Sequence, residues 1–220
     1  MRKALRDNGL SLALLLLFLF SIVGHSVAGL SHYNEEQREH GQPPLTYREY
    51  ITSSGFAESV FENWESEFLQ MALYVLLTAF LYQRGSAESK DPDKPEDVDE
   101  DPSSHRSDPA APYPVRAGGL ALKLYQHSLF LALSLLFVAS FVLHLVASAR
   151  ENCREQLLHG QTCTTALAHL GSATFWFESF QNWQSEFLSI ATLVVLSIFL
   201  RQKGSPESKP VHAAHGKTGR

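Results

Sequence analysis

Residues 9–30 read GLSLALLLLFLFSIVGHSVAGL, and residues 128–149 read SLFLALSLLFVASFVLHLVASA. Each is a run of about 20 apolar residues, the length a helix needs to cross the hydrocarbon of a bilayer. His25 interrupts the first and His144 the second, with only serines as further polar residues. Two shorter runs, 68–82 and 187–200, supply about 15 apolar positions each, too few alone. Aromatic-rich stretches precede them, FENWESEF at 61–68 and FQNWQSEF at 180–187, and are expected to form turns that extend the runs. Trp64 and Trp183 suit the headgroup boundary, where an indole buries its body and wets its N–H. The pattern predicts an all-α membrane protein with four transmembrane helices.

The averages conceal this. Mean hydropathy is only −0.09, while charged residues make up 19% and are nearly absent from the four runs. A net charge of −5 leaves no basic stripe for phosphates, so nucleic acid is excluded as a partner. No Walker loop, GxGxxG, HExxH or GxSxG occurs, so the expectation is a non-enzymatic protein with no cofactor and no metal. The bilayer is the expected partner, together with a protein partner or a second copy of the chain.

Orientation follows from Lys and Arg. Arg2, Lys3 and Arg6 precede the first run, and Arg84, Lys90, Lys94, Arg106, Arg116 and Lys123 lie between the second and third. Arg201, Lys203, Lys209, Lys217 and Arg220 follow the fourth. The remaining loops hold Arg38, Arg48, Arg150 and Arg154. The positive-inside rule therefore puts both termini and the central linker in the cytoplasm. A basic start followed by Ser26-Val27-Ala28 resembles a cleavable signal. The helix recurs as the third run, however, so it is expected to be retained.

Sliding the chain by 119 residues aligns 5–90 with 124–209 without a gap, and roughly 39 of about 86 pairs are identical. Each copy carries two runs, so both insert the same way up, as a parallel repeat around an axis along the membrane normal. The expected architecture is two tandem hairpins, 1–85 and 120–209, in a pseudo-two-fold bundle. A disordered acidic linker, 86–119, joins them, and a disordered tail, 210–220, follows.

The copies share NWESEFL at 63–69 with NWQSEFL at 182–188, and QRGSAESK at 83–90 with RQKGSPESK at 201–209. These repeated motifs resemble a family of uncharacterised bacterial membrane proteins, one of the domains of unknown function, over nearly the whole chain. The resemblance implies bacterial origin, an inner-membrane location and a duplicated four-span architecture. It implies no activity, ligand or site residue. Glu65 and Ala87 stand where the second copy has Gln184 and Pro206, which marks the first motif copy as the more diverged.

Polar residues present in both copies are the site candidates. At helical spacing, Asn63, Ser66, Glu67, Gln70 and Thr78 fall on one face, as do Asn182, Ser185, Glu186, Ser189 and Ser197. Ser21 with His25, and Ser140 with His144 and Ser148, form matching stripes, which a bundle interior favours because lipid offers polar groups no partner. By depth, His25 is expected to reach Glu67, and His144 to reach Glu186. Three readings stay open at this point. One is a structural clasp worth about 1 kcal/mol. Another is a proton or ion path. The last is a haem or metal held by His25 and His144.

In the loops, Thr46 and Glu49 have capping-box spacing and predict a short helix. Cys153 and Cys163 fall on the oxidising side and make a possible disulfide, with nothing replacing them in the first copy. His40-Gly41-Gln42 and His159-Gly160-Gln161 read as a repeated turn, with Glu36 and Glu155 four residues earlier as a weak ligand pattern. Gly85 and Gly204 are expected to cap helix C-termini.

Overall fold

The computed structural model describes residues 2–219, so Arg220, counted above among the cytoplasmic basic residues, lies outside the described residues. Those residues form helices and turns without strands. The helices are α1 (Arg2–Asp7), α2 (Gly9–Glu39), α3 (Tyr47–Ile51), α4 (Ser54–Phe80), α5 (Tyr113–Ala117), α6 (Gly119–Gln126), α7 (Ser128–Leu158), α8 (Ala166–His169) and α9 (Ala173–Phe199). The bounds of α2 and α7, and of α4 and α9, differ by 119 at both ends (128 − 9, 158 − 39, 173 − 54, 199 − 80).

Three helices, α2, α7 and α9, are long and apolar enough to cross a membrane. Of the four runs expected to cross, the one in α4 falls short of this measure. Its 27 residues give length enough, but Glu58, Glu62, Glu65 and Glu67 in its first half dilute the apolar character. The aromatic stretches extend the runs as helix. Both belong to unbroken helices that begin at Ser54 and Ala173.

Local chemistry explains these starts. Ser53 Oγ accepts the Phe56 N–H and Ser172 Oγ the Phe175 N–H, each at 3.2 Å, satisfying a donor that a helix N-terminus leaves open. Thr46 and Glu49 form the expected capping box at the start of α3. Glu49 accepts from the Thr46 N–H and hydroxyl, both at 2.7 Å, which holds its carboxyl below the usual range.

The chain divides into two compact units. One comprises Met1–Phe61 and Val142–Phe175, the other Glu62–Phe141 and Trp176–Arg220. In the first, α2, α3, α7, α8 and the starts of α4 and α9 pack around Tyr50 and Phe175, which are 4% and 0% exposed. Cys153 and Cys163 are joined in a disulfide. The first copy does carry a counterpart. Asn34, at the position of Cys153, bonds both backbone groups of Leu45, accepting at 2.7 Å and donating at 3.0 Å.

In the second unit, Trp183 donates its indole N–H to Glu65 at 3.1 Å, and Asn182 donates to Glu62 at 3.4 Å. The ends of α4 and α9 run into paired turns. Gly85 and Gly204, with φ of 86° and 85°, sit five residues beyond the last helical residue instead of capping it. In each turn a serine N–H closes onto the residue three earlier, Ser86 onto Gln83 and Ser205 onto Gln202. A left-handed residue in third place is what such a turn demands, hence glycine. Ser86 and Ser197 meet through their hydroxyls at 2.8 Å, both buried.

The tail expected to be disordered wraps around Lys209. This side chain is 1% exposed, and its ammonium donates to the carbonyls of Gly85, Ala214, His215 and Lys217. Burial, with Arg201 and Lys217 near, pushes its pKa below the ordinary lysine value. The acidic linker carries Lys90–Asp99 and Arg84–Asp93 ion pairs and two short 3₁₀ turns, Asp97–Asp99 and Pro102–His105.

Candidate functional site

A polar cluster lies where α2, α4 and α7 meet within the first unit. Tyr33 and Gln37 are one turn apart on α2, and Glu151 and Arg154 are one turn apart on α7, so each pair presents a single face. Glu151 accepts from Tyr33 Oη at 3.1 Å and from Ser54 Oγ at 2.8 Å, and it pairs with the Arg154 guanidinium. Arg154 also donates to Gln37 at 2.8 Å and lies over the Tyr33 ring, 4.9 Å from its centroid. The carboxylate and guanidinium thus neutralise each other while every contact adds a hydrogen bond or a ring face. Beside the cluster is an open cavity of about 560 Å³, whose lining includes His25, Glu36, His40, Glu58, Ser59 and Glu155.

The sequence candidates are distributed differently from expectation. His25 is half-buried, with Nε2 3.2 Å from Ser59 Oγ and its ring 5.5 Å from Phe56. Ser59 precedes the expected partner, Glu67, by two turns. The reason is the early start of α4, which brings Ser59 instead of Glu67 to the level of His25. His144 is fully buried with its ring 4.9 Å from Phe175, the counterpart of Phe56. Glu67 is exposed and Glu186 is half-buried. Asn63 is exposed. Ser66 and Ser185 return their hydroxyls to their own helices, donating to the Asn63 and Asn182 carbonyls at 2.8 and 2.7 Å.

Glu65 is the inward carboxylate of α4, at 0% exposure. Two residues on a helix are about 200° apart, so Glu65 and Glu67 cannot share a face. Sequence reasoning set Glu65 aside as a divergence from Gln184. It also left Tyr33, Glu151 and Arg154 unremarked as a cluster, because their counterparts are Asn152, His32 and Glu35. The available signal was polar residues inside otherwise apolar helices, whether or not both copies carry them.

The copies also solve one packing problem in two ways. Tyr50 packs so close to Gly29 that a Cβ there would strike its hydroxyl. At the equivalent positions, Ser148 and His169, both buried, sit 2.9 Å apart in hydrogen-bond contact. Likewise Ser26 and Tyr47 bond through their hydroxyls at 2.9 Å, and the second copy has Leu145 and Ala166, losing both partners together.

Three membrane-length apolar helices, with no strand among the described residues, define a multi-pass all-α membrane protein. The chain belongs to the family described as a domain of unknown function, DUF6766, which matches residues 1–220. Searches of curated proteins and of solved structures return no match.

Proposed function

We propose that this is a non-enzymatic structural or interaction protein of a bacterial inner membrane. Four helices, α2, α4, α7 and α9, cross as two tandem, parallel-repeat hairpins in a pseudo-two-fold bundle, with both termini and the acidic linker cytoplasmic. The observation that carries this reading is the outward display of large apolar side chains. Leu10, Phe20, Leu135, Phe177 and Leu188 are 74%, 79%, 70%, 69% and 68% exposed, a surface suited to lipid and not to water. The common 119-residue offset of the long helices supports the duplication. For α4 as the fourth crossing, the support is that Glu62 and Glu65 receive donors from Asn182 and Trp183, so its polar groups are met within protein.

Reporter fusions test the topology. Reporters at residue 100 and at the C-terminus should be cytoplasmic, and those at residues 43 and 162 periplasmic. Reporters at residues 43 and 100 on the same side of the membrane would refute the crossing by α4, and with it four crossings.

A second reading, a small proton or ion conductor, draws on Glu67 and Glu186, carboxylates at equivalent positions of two long helices. A pH-sensitive dye in proteoliposomes separates the two. Under the structural reading the vesicles leak no faster than empty ones. Flux lost on Glu186→Gln with the fold intact would favour the conductor.

A further inference from the structure

The repeated His-Gly-Gln turns are absorbed by neither reading, and their geometry points to a metal. We propose that His40 and His159 form an open, two-histidine site for a transition-metal dication of the zinc or copper class.

Each histidine follows the last residues of its long helix and bonds through Nδ1 to the carbonyl four residues earlier. His40 does so to Glu36 and His159 to Glu155, both at 2.9 Å. A carbonyl only accepts, so Nδ1 carries the ring proton and Nε2 presents its lone pair. A carbonyl on the far ring nitrogen is the arrangement that orients metal-ligating histidines and raises their basicity. The two rings are neighbours, with centroids 6.1 Å apart. With a metal–nitrogen bond of about 2.0–2.1 Å, an imidazole centroid lies about 3.2 Å from the ion, so two rings on one ion stand about 5.2 Å apart at a tetrahedral angle and about 6.4 Å apart when opposed. The observed spacing lies between these, so the rings reach one ion at a wide angle or close by about 1 Å on binding it.

Both turns are held from behind across equivalent spans. The disulfide Cys153–Cys163 encloses His159, and the paired Asn34–Leu45 hydrogen bonds enclose His40. Gly41 and Gly160 adopt the same left-handed conformation, φ 67° and 70°, immediately after the two histidines. Both side chains are exposed, so an ion has access. Among the described residues no group of three or more His, Cys, Asp or Glu side chains is placed to hold an ion. The remaining coordination positions therefore belong to water. Structural zinc sites close with four protein ligands; this one is open and exchangeable. Imidazole nitrogen suits zinc and copper over calcium or magnesium.

The test uses the full chain without a histidine tag, in detergent micelles, with Zn(II) or Cu(II) salts as the probe. Calorimetry should register one ion per chain at this site. His40→Ala and His159→Ala should each weaken it at least tenfold, and His32→Ala, on the exposed flank of α2, should not. The Cu(II) electron paramagnetic resonance spectrum should show two imidazole nitrogens, falling to one in either variant. Acidification should release the ion, because a proton competes for the same lone pair. The proposal is overturned if each single variant keeps wild-type affinity, or if the spectrum of the unsubstituted chain shows a single imidazole.

Discussion

Gly29 and Tyr50 are a matched pair, and their counterparts Ser148 and His169 are another. Gly29→Ser alone places a Cβ against the Tyr50 hydroxyl. The Tyr50 ring is 4% exposed and lies 5.6 Å from Tyr33 and 5.4 Å from Phe56 by centroid, so it has little room to withdraw. Overpacking of this kind costs about 1–3 kcal/mol. Adding Tyr50→His recreates the second copy's solution and should recover most of that loss, measured as the midpoint of a denaturation titration in detergent. A double variant no more stable than Gly29→Ser would show that the two sites are not equivalent. Trp183→Phe tests a different residue. It keeps the ring but removes the indole N–H from the buried Glu65 carboxylate. A loss of about 1–3 kcal/mol is expected, and Glu65→Gln in the Trp183→Phe background should restore part of it by removing the buried charge.

At the scale of elements, α3 depends on its capping box. Hydrogen bonds from Thr46 depress the Glu49 carboxyl. A carboxyl whose pKa is lower folded than unfolded stabilises above its unfolded pKa, and that contribution disappears as pH falls through the folded value. The amides at the start of α3 should therefore lose protection, relative to the intrinsic exchange rate at the same pH, as the pH falls below the usual carboxylate range, and Thr46→Ala should raise the Glu49 pKa in a proton NMR titration. An unshifted Glu49 in the unsubstituted chain would contradict the cap. The loops after α2 and α7 offer a second comparison. Reduction of Cys153–Cys163 releases a loop of about ten residues, worth about 2–3 kcal/mol through the unfolded chain. Asn34→Ala deletes two hydrogen bonds, each worth about 0.5–1.5 kcal/mol. Hydrogen exchange should rise in 153–163 after reduction and in 34–45 after Asn34→Ala, each without change in the other.

Across the whole molecule, the C-terminal segment is tied to the end of the first motif copy. Lys209 donates to Gly85, and Gly219 N–H donates to the Ser86 carbonyl at 3.0 Å. Gly85 N–H in turn donates to Thr218 Oγ1 at 2.8 Å. Its counterpart in the first copy, Lys90, instead pairs with Asp99, so one repeated lysine serves two environments. Lys209→Met removes an ammonium from four carbonyls and should cost about 1.5–3 kcal/mol locally. Faster amide exchange at Gly85 and Ala87, with α2 and α7 unaffected, is the expected signature. Unchanged exchange at both amides would mean that the tail does not secure this turn.

The long apolar runs inside α2 and α7 were legible in sequence, because crossing a bilayer demands such a run and little else, whereas α9 begins well before the run at 187–200. Duplicated turns were legible too, since His40-Gly41-Gln42 and its partner use only local backbone chemistry. What the sequence obscured was the inward face of α4. Depth and shared identity favoured Glu67, yet Glu65 is buried and meets Trp183. The same holds for Glu151, Arg154 and Tyr33, whose counterparts are chemically different. These contacts between the two copies join non-equivalent positions, so a favourable pair can arise once without its mirror image. Apolar length and the cap of α3 are therefore determined by the sequence itself, through bilayer thickness and hydrogen bonding within a turn. Which carboxylate is buried, what each histidine touches and where Lys209 ends up are decided only by tertiary packing, because each depends on a neighbour that local periodicity does not specify.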